Sequence, residues 1–439
     1  MLAIWNKLTL SNKGLETISG LIFADQQTLR VILFLIVLQC SGVLAGVWWL
    51  PPGYSYLTGT IFNHLLTWDG LRYFNVAEHG YVWNQAYCQQ HFCDMAFFPL
   101  QSLFDRAVLA IFSKQPAIII IILSSWLCGI ASIFCFARLA RLVMGVEARN
   151  AIILYTLYPG SVFYLMGYPV GLISLLVILA LYNALQKQWW RAALCVGIGS
   201  AAGPVVAFAG FPIGLYYLYE QSKDSRFIWL LPKALGWAAL ALSGLLLFMA
   251  YQYLVFGDAL AFVKAQAPWA GNLTLSRKIE FLTNLHCYFG YFYEVVGWSK
   301  TAFQMLLSQN GVQVILFQGV KMHFLDFIEL VIQSLFSLIF FGTAWIGLFS
   351  CGFFCKEYSA RILLCASSLA VMLAYMWFVL ASNWNMESTI RLLAPAIALF
   401  LGLGGLSYRF KPLEYGLFPF FAVVTFMQTA FLVRGFQIV

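Results

Sequence analysis

Residues 116–137, PAIIIIILSSWLCGIASIFCFA, carry no charged side chain. As a helix such a run rises about 33 Å, enough to cross the ~30 Å hydrocarbon core of a bilayer. Arg138, Arg141 and Arg149 follow, as expected where a span re-enters the cytosol. On the other side lies an apolar stretch at 95–113 that can hug the membrane. It closes the most polar long interruption of the chain, Thr58 to Leu100. Before that interruption, residues 31–50, VILFLIVLQCSGVLAGVWWL, read as a first span, with Trp48 and Trp49 as interface anchors and Pro51-Pro52-Gly53 as its end.

The same pattern runs through all 439 residues, which are 62% hydrophobic, 18% aromatic and 10% charged; soluble domains average about 25% charged. In lipid the backbone polar groups must be satisfied within each segment, so an all-α, polytopic transmembrane protein of about 10–12 spans is expected. Residues 1–30 read as a cytosolic, partly amphipathic lead. They lack an apolar core followed by a small-residue cleavage site, so the first span is expected to act as an uncleaved signal. Residues 150–166 and 170–186 read as a hairpin through Gly167-Tyr168-Pro169. Residues 192–219 are interrupted by Gly199, Gly203-Pro204 and Gly210 and read as two half-helices. Residues 234–256 then cross outward to a second polar stretch, FGDALAFVKAQAPWAGNLTLSRK. The region 281–325 fits either two spans or surface-lying helices, and 327–354, 361–381, 390–407 and 415–433 are the last four spans. The chain reads as a single transmembrane domain over residues 1–439, with residues 51–115 as its large outer loop.

Charge supports this topology. The cytosolic segments hold 15 Lys/Arg and 7 Asp/Glu, and the opposite face holds 10 and 10, so the whole net charge of +8 falls on one side. The cations stand at segment ends rather than in runs, so no nucleic-acid partner is expected. Most of the ten cysteines lie inside apolar segments as small buried hydrophobes. Only Cys88 and Cys93 sit together in a polar loop, where a local disulfide is compatible with an oxidising face. His79, His91, His286 and His323 show no metal-ligand spacing, and neither a P-loop nor a GxGxxG fingerprint is present. No metal site, bound cofactor or nucleotide-binding domain is therefore expected.

Between Asn63 and Tyr81 the residues Leu65, Leu66, Tyr73, Val76, Ala77 and Gly80 recur at helical spacing. On such a helix Asp69 stands three residues from Arg72 and four from Tyr73, which brings a carboxylate, a guanidinium and a phenol together at headgroup depth. A carboxylate there suits a general base, and an Arg suits a phosphate. Spacing alone favours a solvated helix pair worth a few tenths of a kcal/mol, with Trp68 as a belt residue.

The segment TWDGLRYFNVAEHGYVW, followed by MAFFPL, resembles the Trp-Asp-x-x-x-Tyr-x-x-Ile-Ala-x-x-Gly-Tyr and Ala-Phe-Phe-Pro signature of the GPI mannosyltransferase 2 (PIG-V type) family, within the GT-C glycosyltransferases. A looser likeness extends to ARLARLVMGVEARNAIILYTLYPGSVFYLMGYP, FGDALAFVKAQAPW and STIRLLAP, in that order. The short loops and the FFPL form look more like bacterial members. The chain departs from the pattern at Tyr168-Pro169-Val170, where the family has Tyr-Ser-Glu, and at Gly203-Pro204-Val205-Val206, where it has Arg-Pro-x-Gly.

The resemblance implies a GT-C-like fold and an inverting, metal-independent hexosyltransferase of the mannosyltransferase kind. Its donor would be a polyprenyl- or dolichyl-phosphate sugar, its acceptor a glycolipid or glycan. It would act from the periplasmic face of a bacterial inner membrane, or from the luminal face of the endoplasmic reticulum in a eukaryote, amid membrane lipids. The family's catalytic carboxylate maps onto Asp69. Candidate substrate-binding residues in the matching stretches are Trp68, Arg72, Tyr73, Glu78, His79, Lys264, Gln266, Trp269 and Arg391. Of these, Arg72, Lys264 and Arg391 are the cations available to steady the leaving phosphate, and snorkelling at the interface is the plainer role for Lys264. Two other classes fit the composition: a non-catalytic subunit of a transferase assembly, and a lipid or solute transporter. The near absence of ionisable residues inside the spans argues against transport.

Overall fold

The computed structural model describes residues 12–49, 61–66, 68–223, 227–270, 314–317, 320–377 and 389–434, with isolated positions between 276 and 300. The described residues are helical apart from connecting turns and a two-stranded antiparallel hairpin, β1 (Val314–Phe317) and β2 (Val320–His323). The longer helices are α1 (Asn12–Trp49), α2 (Asp69–His79), α3 (Pro99–Ile111), α4 (Ala117–Met144), α5 (Ala148–Thr156), α6 (Val170–Leu185), α7 (Trp189–Ser200), α8 (Pro204–Ser222), α9 (Phe227–Phe256), α10 (Phe324–Phe354), α11 (Tyr358–Tyr375), α12 (Ile397–Arg409) and α13 (Lys411–Val433). Among the described residues six helices are long and apolar enough to cross a membrane, and a seventh crossing arises if the pair Pro159–Leu165 and α6, bent by 115°, is one span. The protein is an all-α polytopic membrane protein.

Several expected boundaries shift for local reasons. The lead and first span form one helix, α1, because no Gly or Pro stands between Gly20 and Gly42 to break it. The outgoing leg of the expected 150–166 hairpin is not one helix: α5 ends at Thr156, and Pro159-Gly160 open a separate 3-10 segment, Pro159–Leu165. The expected span 390–407 is split into a turn, Thr389–Leu392, and α12, with Pro395 between them. The half-helices are found as α7 and α8, with Pro204 at the first turn of α8. Most of 281–325 lies outside the described residues, and its end at 314–323 is the β hairpin, neither a span nor a surface helix.

Pairs α10 with α12, α4 with α6, α7 with α9, α6 with α7, α1 with α13, α8 with α11 and α5 with α12 pack against each other. The tightest approach is made by small residues: a Cβ on Gly402 of α12 would stand 1.8 Å from the carbonyl oxygen of Gly347 on α10. Lipid offers no hydrophobic drive for association, so close backbone contact of this kind supplies the dispersion energy instead. The core between them is aromatic. Phe136 stacks on Tyr155 at 4.2 Å between ring centres, and Phe400 meets Tyr155 edge-on at 4.9 Å and Tyr158 at 5.0 Å.

Contacts sort the connections into two ends. At one end the Leu100 N–H donates to the Ala201 carbonyl at 2.9 Å, and Gln266 Nε2 donates to the Ala96 carbonyl at 2.9 Å. At the other end Glu220 binds Lys187 and Lys223, each at 2.7 Å, and the Lys356 N–H donates to the Val143 carbonyl at 3.0 Å. The first end holds the polar loop.

Candidate active site

Asp69 does not lie within a longer amphipathic helix. The segment divides into Ile61–Leu65 and α2, and Trp68 between them has φ 52°, the left-handed region. A bulky residue there costs of order 1–3 kcal/mol, which the surrounding structure must offset. The break sets Asp69 at the first position of α2, where unpaired N–H groups favour a negative charge.

Gly70 allows the next step. A Cβ at this position would stand 2.0 Å from the Met166 carbonyl oxygen, so only glycine lets α2 approach the 166–168 turn. That contact brings the Asp69 N–H to the Tyr168 hydroxyl oxygen, to which it donates at 3.1 Å. Arg391 then reaches in from the turn Thr389–Leu392. Its Nη1 donates to Asp69 Oδ2 at 2.5 Å, across 322 residues of sequence. The pair is partly buried, with the Arg391 and Asp69 side chains 18% and 28% exposed. The Arg391 guanidinium also lies 5.0 Å from the Tyr168 ring centre and 5.9 Å from that of Phe163. Two aromatic faces and one carboxylate therefore hold its plane.

Among the described residues none donates a hydrogen bond to Asp69 Oδ1, so one carboxylate oxygen is anchored and one is available. Tyr73, one turn along α2, is buried against Phe97. Burial, and then the charge of Asp69, hold its phenol well above the ordinary value, so it stays protonated. The arrangement offers an acceptor oxygen beside a neutral hydroxyl and a fixed cation, which suits proton removal from a hydroxyl next to a developing anion.

The expected Asp69 to Arg72 pair does not form. Arg72 Nη1 donates instead to Asp94 Oδ1 at 3.1 Å, because the loop after the Cys88–Cys93 disulfide returns Asp94 to α2. Lys264 is paired with Asp258 at 2.6 Å, and Gln266 ties its loop to Ala96. Glu78 and His79 stand at the far end of α2, 3.8 Å apart, with His79 exposed. The side chain of Trp269, in the turn Ala267–Ala270, lies outside the described residues. Of the expected site residues, then, Asp69, Trp68, Tyr73 and Arg391 come together, while Arg72, Lys264 and Gln266 hold neighbouring loops. Among the described residues no three His, Cys, Asp or Glu side chains converge as a ligand set. Two cavities elsewhere in the described residues, of about 400 and 390 Å³, include none of these residues.

Sequence reasoning missed two groups. Tyr168 stands in the uncharged hairpin connection and gives no polar pattern. Asp105 is a fully buried carboxyl on α3: Gln101 Nε2 donates to its Oδ1 at 2.9 Å, and Ser124 on α4 donates to the same oxygen. Its neighbour Ser102 donates to the Tyr73 carbonyl at 2.9 Å, so this helix also anchors α2. Gln101 and Asp105 at i and i+4 in an otherwise apolar stretch were the available signal. Burial pushes Asp105 up to about 7. Because its folded value lies above the unfolded one, the folded state binds the extra proton, and stability falls as pH rises from about 4 through 7. Asp105→Asn removes that dependence. The melting temperature of the variant should change less than that of the wild type between pH 5 and pH 8; parallel curves would show that Asp105 keeps its ordinary acidity.

Fold and site together define a multi-pass, all-α membrane protein with a partly buried Asp–Arg pair where its polar loop meets the helix bundle. Compared with known proteins, the chain matches no protein-family model and no curated sequence.

Proposed function

We propose that this protein is an integral membrane glycosyltransferase that moves a hexosyl group from a polyprenyl-phosphate sugar to a hydroxyl of a glycolipid or glycan. The observation that carries this reading is the ion pair between Asp69 and Arg391, set against Tyr168. These residues belong to TWDGLRYFNVAEHGYVW, STIRLLAP and the YPGSVFYLMGYP stretch, three separate segments in which the chain resembles the GPI mannosyltransferase 2 family. Their convergence supports a shared site.

In this mechanism Asp69 Oδ1 takes the proton of the acceptor hydroxyl while that oxygen's electron pair forms the bond to the anomeric carbon. The bond from that carbon to the phosphate oxygen breaks, and its electrons leave with the polyprenyl phosphate. A phosphate leaves readily without a proton, so Arg391 need only steady its charge, and a single displacement inverts the anomeric centre. Arg391 meanwhile holds Asp69 through Oδ2, which keeps the carboxylate aimed.

The polar end of the bundle faces the periplasm or lumen in this account, since the opposite end carries the excess of Lys and Arg. Gln85 is exposed in the polar loop. A cysteine introduced there, with the Cys88–Cys93 disulfide kept and other free thiols replaced, should react with an impermeant thiol reagent from outside intact cells. Labelling only after the cytosolic face is opened would reverse the orientation.

Purified protein should consume a labelled polyprenyl-phosphate hexose in the presence of a chelator, and should leave a nucleotide sugar untouched. Activity that a chelator stops and Mg²⁺ or Mn²⁺ restores, or transfer from a nucleotide sugar alone, would refute the assignment of donor.

A further inference from the structure

At the end of the bundle remote from Asp69, a cavity of about 400 Å³ opens between the connection Gly145–Glu147, the α10–α11 turn and the last turn of α12. Its lining includes Lys356, Arg361, Arg409, Glu147, Tyr408 and Phe353. Three cations thus face one carboxylate. Elsewhere at this end some cations are matched, Glu220 with Lys187 and Lys223 and Lys411 with Glu414 at 2.8 Å, while Arg138, Arg149 and Arg191 stand outside any ion pair among the described residues. Among the described residues, no carboxylate lies within ion-pair distance of Lys356, Arg361 or Arg409.

The Arg361 side chain is held in place, and the backbone of Lys356 is tied to the end of α4. Arg361 Nε donates to the Cys355 carbonyl at 2.6 Å, and among the described residues its terminal nitrogens make no hydrogen bond. The Lys356 N–H binds the Val143 carbonyl at 3.0 Å, and its ammonium lies over Gly145, where a Cβ would stand 2.5 Å from Nζ. Three positive groups around a cavity, with Glu147 as the one carboxylate in its lining, repel one another unless an anion enters. The surroundings say what kind of anion. Phe353 is 80% exposed, and Tyr408, Tyr358 and Phe410 are exposed beside it. An apolar and aromatic rim at a span end is what acyl chains and glycerol backbones meet at the bilayer interface.

We infer that this cavity binds the phosphate of an anionic lipid headgroup in the leaflet at this end of the protein. A cavity near 400 Å³ accommodates a phosphodiester and its small alcohol, and Arg361 and Arg409 can each offer two N–H groups to phosphate oxygens. Basic pockets between helix ends are a recurrent way to hold such lipids. The site is separate from Asp69 and does not depend on the proposed transfer reaction.

The test uses full-length protein in phosphatidylcholine nanodiscs, titrated with dioleoylphosphatidylglycerol and read by native mass spectrometry. Lys356→Gln together with Arg409→Gln should weaken phosphatidylglycerol binding at least about 10-fold, since each cation near a headgroup is worth roughly 5-fold. Both residues are exposed, and Arg361, which holds the turn, is left intact. Arg409→Gln alone should lose about 5-fold, which keeps the test decisive if the double variant fails to fold. Lys411→Gln, whose cation is already paired with Glu414, should bind as the wild type does. Equal binding by the wild type and Arg409→Gln overturns the inference. So does competition by millimolar inorganic phosphate that displaces the lipid completely, which would mark the site as one for free phosphate.

Discussion

Asp69→Asn should reduce sugar transfer at least about 100-fold, the lower bound for removing a general base, while the protein still inserts and melts close to the wild-type temperature. The amide keeps the size of the carboxylate and can still accept from Arg391, so the contact between α2 and the turn Thr389–Leu392 survives in shape. What is lost is the oxygen that takes the proton. A plainer account of the same geometry exists: an ion pair that fastens the polar loop to the bundle. The two accounts separate cleanly. A structural clamp loses melting temperature on Asp69→Asn and keeps its turnover, whereas a general base loses turnover and keeps its melting temperature. Turnover within about twofold of wild type would refute the catalytic role.

Arg391→Ala should be nearly as damaging, and Arg391→Lys should recover little of the loss. The guanidinium is used as a plane: it bonds Asp69 and lies against Tyr168 and Phe163, 5.0 and 5.9 Å from the ring centres. A lysine ammonium supplies the charge and not the fork, and it stacks less well. With donor concentration varied, Arg391→Lys should raise KM for the polyprenyl-phosphate sugar and lower kcat, because the same group steadies the leaving phosphate and aims the base. KM for the acceptor should move little. An Arg391→Lys enzyme indistinguishable from wild type would reduce Arg391 to an interface anchor, for which any long cation serves.

Membrane class was legible in the sequence because the constraint is coarse: uncharged runs long enough to span, with cations gathered at their ends. The half-helices α7 and α8 were legible too, since Gly203-Pro204 breaks a helix by covalent geometry alone. What the sequence concealed depends on partners far along the chain. Asp69 and Arg72 stand at a spacing that suggests each other, and only the tertiary fold hands one to Arg391 and the other to Asp94. The helix break at Trp68 was also hidden, because a positive φ is usually announced by Gly or Asn and here falls on a tryptophan. Tyr168 stood out only beside a departure from the family pattern, and its role, a hydroxyl aimed at one backbone N–H, was not legible there. Asp105 was readable in principle from its spacing to Gln101, but its acidity follows from complete burial, which no local pattern reports.

The most direct test of the central claim compares purified wild-type protein with Asp69→Asn in lipid nanodiscs, supplied with labelled polyprenyl-phosphate hexose and a membrane glycolipid extract. The quantity to follow is the release of polyprenyl phosphate together with the appearance of label in a product of inverted anomeric configuration. The account predicts matched release and transfer by the wild type, and neither by Asp69→Asn. Wild-type protein that leaves the donor intact, or an Asp69→Asn variant that consumes it at the wild-type rate, would contradict it.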